Sequence, residues 1–127
     1  MSFGTVIQKV LNMRSATLGL MMLAVSQVAH PQAASAPQPG PGDPRIRQFV
    51  YNADEIVSLK AQVGYEMTIE FDPTERIENV SIGDSLSWQV TPNRKATLLF
   101  LKPMAKDVTT SMTVVTTNRI YSFLLNS

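Results

Sequence analysis

Residues 76–103, RIENVSIGDSLSWQVTPNRKATLLFLKP, hold three apolar runs separated by two turn signals. Ile77, Val80 and Ile82 carry the first run, and Gly83-Asp84-Ser85 closes it with three turn-forming residues. Leu86, Trp88 and Val90 then alternate with Ser87 and Gln89, the period of a half-buried strand. Thr91-Pro92-Asn93-Arg94 breaks that pattern. Residues 96–101 follow with Thr97 as their only polar side chain, which predicts a central strand covered on both faces. Ile77 is out of phase with Val80 and Ile82, so the three share a face only if a bulge lies near Glu78-Asn79.

The flanks read the same way. Residues 111–117 and 120–125 surround Asn118-Arg119 as a hairpin would, and Thr and Val dominate the first of them, which suits a pleated surface. Before residue 76, Tyr65, Met67, Ile69 and Phe71 alternate with Glu66, Thr68 and Glu70 until Asp72-Pro73-Thr74-Glu75 stops the strand. Residues 55–60 form a further strand, with Ala61-Gln62 as a tight hairpin loop after it. Residues 47–51 form a short one that closes at Asn52-Ala53-Asp54. About eight short strands at regular spacing, with no helical period among them, predict an all-β fold, a small antiparallel sandwich or barrel over residues 45–127.

What precedes the strands has a different character. Residues 1–36 read as a signal-peptide helix with its cleavage region: Lys9 and Arg14 are basic, residues 16–28 are mostly apolar, and Ala24-Val25-Ser26 and Ala34-Ser35-Ala36 resemble cleavage sites. The apolar run falls short of the roughly 20 residues that span a bilayer. Residues 37–44, PQPGPGDP, are a Pro/Gly-rich linker of semi-extended character. Export from the cytoplasm is the expectation.

Charge and composition exclude several classes. Of 11 basic and 10 acidic residues, Lys9 and Arg14 belong to the leader, so the remainder carries a formal charge of −1. No basic stripe is present, and direct nucleic-acid binding is not expected. With no cysteine and a single histidine, His30, neither a Ser-His-Asp triad nor a Cys–His pair can be assembled, and zinc, which draws on the same ligands, is not expected. Asp72, Glu75, Glu78 and Asp84 do not match a calcium loop, and charges at turns are ordinarily solvated. Gly83 stands alone, without a phosphate-binding glycine loop. The sequence therefore predicts no catalytic residue, no cofactor, no metal and no enzyme.

Structural roles remain. Trp88 shares its strand face with Leu86 and Val90 and is assigned to the core. Gly83, Asp84, Pro92, Asn93 and Pro103 are turn and strand-end residues. Arg45, Arg47 and Tyr51, where linker meets domain, are candidate subunit contacts.

One resemblance sharpens this reading. ERIEN at 75–79, IGDSLSWQV at 82–90, TPN at 91–93 and LLFLKP at 98–103 are similar to the TrbG/CagX family, periplasmic subunits of the type IV secretion core complex. Val63-Gly64-Tyr65, residues 68–71 and residues 112–117 with Arg119, Tyr121 and Phe123 extend the likeness, which is collinear over residues 45–125. The resemblance implies a sandwich rather than a barrel. It implies a structural subunit of a conjugation or effector-export channel in a Gram-negative periplasm, associated with the cell envelope. Its partners would be further copies in a ring and a scaffold subunit that spans the inner membrane. Family members continue into a second β-domain that binds a small outer-membrane lipoprotein; since this sequence stops at Ser127, that partner is not carried over. The alternative function is an exported monomeric β-sandwich that binds or adheres independently of secretion.

Overall fold

The computed structural model describes residues 34–127, and the expected signal-peptide helix lies outside the described residues. Alternating side chains and turn residues set out nine strands: β1 (Gln38–Pro39), β2 (Arg47–Gln48), β3 (Ile56–Lys60), β4 (Met67–Glu70) and β5 (Ile77–Ile82). They continue with β6 (Trp88–Pro92), β7 (Leu98–Pro103), β8 (Thr109–Thr116) and β9 (Ile120–Asn126). A four-stranded sheet in the order β3-β9-β8-β5 faces a three-stranded sheet in the order β4-β7-β6, and β1 and β2 make a separate ribbon. The fold is the expected all-β sandwich.

The core lies between the two larger sheets. Val57, Leu59, Met112, Val114, Tyr121, Phe123 and Leu125 from one meet Ile69, Phe71, Trp88, Leu99 and Leu101 around the other. Burying each large apolar side chain contributes about 1.5–3 kcal/mol, which is what drives the two sheets together. β7 is central, as its composition requires, with Leu99 and Leu101 at 0% exposure. Its other face is only half covered: Leu98 and Phe100 are half-buried, in register with Glu70, Thr68 and Thr91 on the neighbouring strands.

The phase fault in β5 resolves as expected. Pairing with β8 skips a register position between Ile77 and Asn79, so a bulge turns Ile77, Val80 and Ile82 all toward the core. β8 and β9 form the anticipated hairpin, in which Thr116 Oγ1 accepts from the Arg119 N–H at 3.0 Å.

Three expectations need correcting. β3 and β4 do not form a hairpin through Ala61-Gln62; β3 pairs in parallel with β9, and β4 crosses to the other sheet beside β7. The four-stranded sheet is therefore mixed rather than wholly antiparallel. Period-two alternation says which face of a strand is buried and says nothing about its neighbour. Leu86 is not on the Trp88 face but 91% exposed, because Asp84 Oδ1 accepts the N–H groups of Leu86 (3.1 Å) and Ser87 (3.0 Å) and holds them in a turn. Tyr65 likewise stays outside its strand, its N–H donating to Gln62 O in a turn.

Candidate functional site

Turn chemistry fixes the residues assigned to structural roles. Asn93 Oδ1 accepts from the N–H groups of Thr97 (2.8 Å) and Leu98 (2.9 Å), tying the β6–β7 turn whose Ala96 sits at φ +56°. Pro92 ends the edge strand β6, where its missing N–H costs no ladder bond. Pro103 is buried in β7 opposite Trp88, itself 3% exposed. Gly83 lies so near β8 that a Cβ there would sit 2.7 Å from Thr110 Oγ1. The Asp84 carboxyl is held below the ordinary carboxylate range by its hydrogen bonds to Ser87, then Leu86.

The residues proposed as contacts lie on an arm, residues 35–51, along one side of the sandwich. Its ribbon pairs Gln38 with Gln48 and Pro39 with Arg47. Arg45 does not reach the body: it forks onto Asp43 at 2.6 and 3.0 Å and is otherwise exposed. Arg47 is exposed too, donating to Pro37 O at 3.4 Å. Tyr51 is different. Its ring meets Tyr121 edge-on at 5.1 Å, and the Arg119 guanidinium stands over it at 5.0 Å. Phe49, which sequence reasoning did not single out, meets Tyr121 at 6.3 Å and Phe123 at 6.0 Å. The Phe49-x-Tyr51 spacing was its only signal.

Behind these aromatics is a polar knot that the sequence did not announce. Glu75, read as a solvated turn residue, is 1% exposed. Its Oε1 accepts from Thr116 Oγ1 at 2.7 Å and its Oε2 from the Tyr121 hydroxyl at 2.6 Å. Arg119 Nη1 lies 3.6 Å from the same Oε2. Burial, then the bond to Glu75, pushes the Tyr121 phenol up to about 12. A buried carboxyl satisfied on both oxygens fastens the β4–β5 turn to the β8–β9 hairpin, and through Arg119 to Tyr51. Asp72 and Asp84 remain turn residues as read, Asp72 accepting from Thr74 at 2.8 and 2.6 Å.

A groove of about 1100 Å³ runs beside the knot, with Phe49, Tyr51, Phe71 and Tyr121 among its lining residues and β3 and β4 as its walls. Among the described residues no group of three His, Cys, Asp or Glu could hold a metal, and no helix is long and apolar enough to cross a membrane.

Comparison with known proteins follows the sandwich closely. The family model described as a conjugal transfer protein, CagX, matches residues 44–127. The chain is 36% identical over 89 residues to the type IV secretion system protein PtlF of Bordetella pertussis, covering 70% of this chain and 30% of that protein. It is 32% identical over 98 residues to the type IV secretion system protein virB9 of Bartonella henselae, covering 73% and 33%. Protein virB9 of Agrobacterium tumefaciens is 31% identical over 84 residues, covering 66% and 27%. The chain thus spans a third or less of the length of these relatives.

Proposed function

This chain belongs to the CagX family of conjugal transfer proteins, and from that premise we propose that it is a structural, non-enzymatic subunit of a type IV secretion apparatus. The observation that carries the reading is coincidence of boundaries: the family match over 44–127 takes in the whole sandwich and the Tyr51–Arg119 contact. In this reading the chain works in the periplasm, brought there by its leader. It stands in a ring with further copies and beside an inner-membrane scaffold subunit. It holds a conduit in register rather than turning over a substrate. Ring closure needs heterologous contacts, in which one patch of each copy meets a different patch of the next. The exposed Arg45 and Arg47 on the arm are available for such contacts.

The test is the size of the particle that holds the chain. Envelopes of the native host, solubilised in mild detergent and separated on a native gel, should place it in a large complex. Migration as a free single chain, apart from any larger particle, would reject the reading.

A further inference from the structure

The arm is built as a detachable unit. Its ribbon is internal, closed by the β1–β2 pairing, the Gly40 N–H to Ile46 O bond and the Arg45–Asp43 fork. With the leader cut at Ala24-Val25-Ser26, Ser35 stays on the exported chain, and among the described residues it makes all of the arm's hydrogen bonds to the body. The Ser35 N–H donates to Ile56 O at 2.8 Å, and Ser35 O accepts from Ser58 N–H at 2.7 Å. Together they make one parallel bridge, Ser35 beside Val57, on the outer edge of β3. The remaining hold is aromatic, through Phe49 and Tyr51 on Tyr121, Phe123 and Arg119. The arm leaves the groove of about 1100 Å³ unfilled beneath it. It joins β3 through one turn, in which Glu55 N–H donates to Asn52 O and Asp54 N–H to Asn52 Oδ1.

We propose that residues 35–51 exchange between neighbouring copies, so that the arm of one chain seats its Phe49 and Tyr51 on the Tyr121–Arg119 surface of the next. The occupant is argued from the complement the chain already displays. A neighbour of the same sequence brings the same strand bridge, the same two aromatic anchors and the same fit to Arg119. Exchange therefore keeps every arm–body contact and asks for a new conformation only at residues 52–55. In a crowded array the neighbour's body is present at high effective concentration, which offsets the cost of joining two chains. Arm-to-body seating is heterologous, the geometry that closes rings. This inference rests on the reading that copies stand side by side in an assembly.

The test uses two tagged versions of the full chain in the native host, one bearing p-benzoylphenylalanine at Phe49, the other unlabelled. A second labelled version carries the photo-residue at Val50, which is 88% exposed and leaves the aromatic contacts intact, and serves as the control that a labelled chain still co-purifies with the other tag. After irradiation, purification through the first tag and peptide mapping, the expected product joins the arm of the labelled chain to residues 121–123 of the chain with the other tag. Adducts to residues 121–123 found only within the labelled chain, while the second tag still co-purifies, overturn the exchange and leave the assembly reading standing. Failure of the two tags to co-purify overturns both.

Discussion

The hydroxyl of Tyr121 donates to Glu75 Oε2 at 2.6 Å across a separation of 46 residues, beside a core of apolar side chains. Glu75 belongs to the turn that leaves the three-stranded sheet, and Tyr121 to β9 of the four-stranded one. The bond is therefore a rivet between layers. Thr116 supplies a second hydroxyl to the other carboxyl oxygen, and Arg119 closes the cluster toward solvent.

Replacing Glu75 should show what the rivet is worth. Glu75→Ala leaves the Tyr121 hydroxyl without its acceptor and Thr116 Oγ1 with only Arg119 O at 3.2 Å, and we expect a loss of about 2–4 kcal/mol. Glu75→Gln keeps one acceptor and offers a donor, so its loss should be about 1–2 kcal/mol. Urea unfolding followed by tryptophan fluorescence measures both. Equal and negligible losses would mean that the carboxyl is not structurally engaged.

Tyr121 should ionise late. With its phenol raised to about 12, the folded state holds the proton more tightly than the unfolded chain does. Its contribution to stability is complete below pH ~10 and is lost as pH rises through the folded value. An ultraviolet titration should show a tyrosinate step near the upper end of that window, absent in Tyr121→Phe. A Tyr121→Phe trace identical to the parent's would contradict this.

Trp88 separates volume from polarity. It is 3% exposed, and among the described residues its indole N–H has no hydrogen-bond partner. Trp88→Ala should cost about 3–5 kcal/mol through the cavity it leaves. Trp88→Phe should cost less than about 1.5 kcal/mol, since an unpaired donor leaves with the lost volume. Thermal melts by circular dichroism check both, and a larger loss for Phe than for Ala would refute the assignment.

The Gly83–Asp84 turn makes two separable predictions. Gly83→Ala drives a methyl to 2.7 Å from Thr110 Oγ1, on a β-branched side chain with little freedom to yield, and should lower the melting temperature. Asp84→Ala removes the acceptor for Leu86 and Ser87 and should lower it as well. Because the folded Asp84 carboxyl is held low, its contribution is present above pH ~4 and is lost as pH falls through the folded value. The Asp84→Ala difference should therefore shrink in strong acid, and a difference that grew there would refute the turn's role.

Most of the strand pattern was legible because faces are encoded locally. Met67, Ile69 and Phe71 alternate and are partly or wholly buried, and the bulge beside Ile77 was visible as a phase fault. Neighbours were not legible. β3 looks equally able to pair with β4 or β9, and only the closed core selects the parallel partner. Leu86 misled because its alternation is overridden by two hydrogen bonds to Asp84. In the candidate site, Tyr51 was singled out as a subunit contact from its position between linker and strands, and it packs on Tyr121 and Arg119 of its own chain, whereas Glu75 was hidden. A glutamate after Asp-Pro-Thr looks like surface until residues 41 and 46 positions away bring their hydroxyls to it.

The measurement that bears most directly on the account is recovery of the tagged full chain from native cells after mild cross-linking, with mass-spectrometric identification of what accompanies it. The account predicts further copies of the chain together with inner-membrane subunits of a type IV secretion apparatus. Recovery of the chain alone, free in the periplasm, would contradict it.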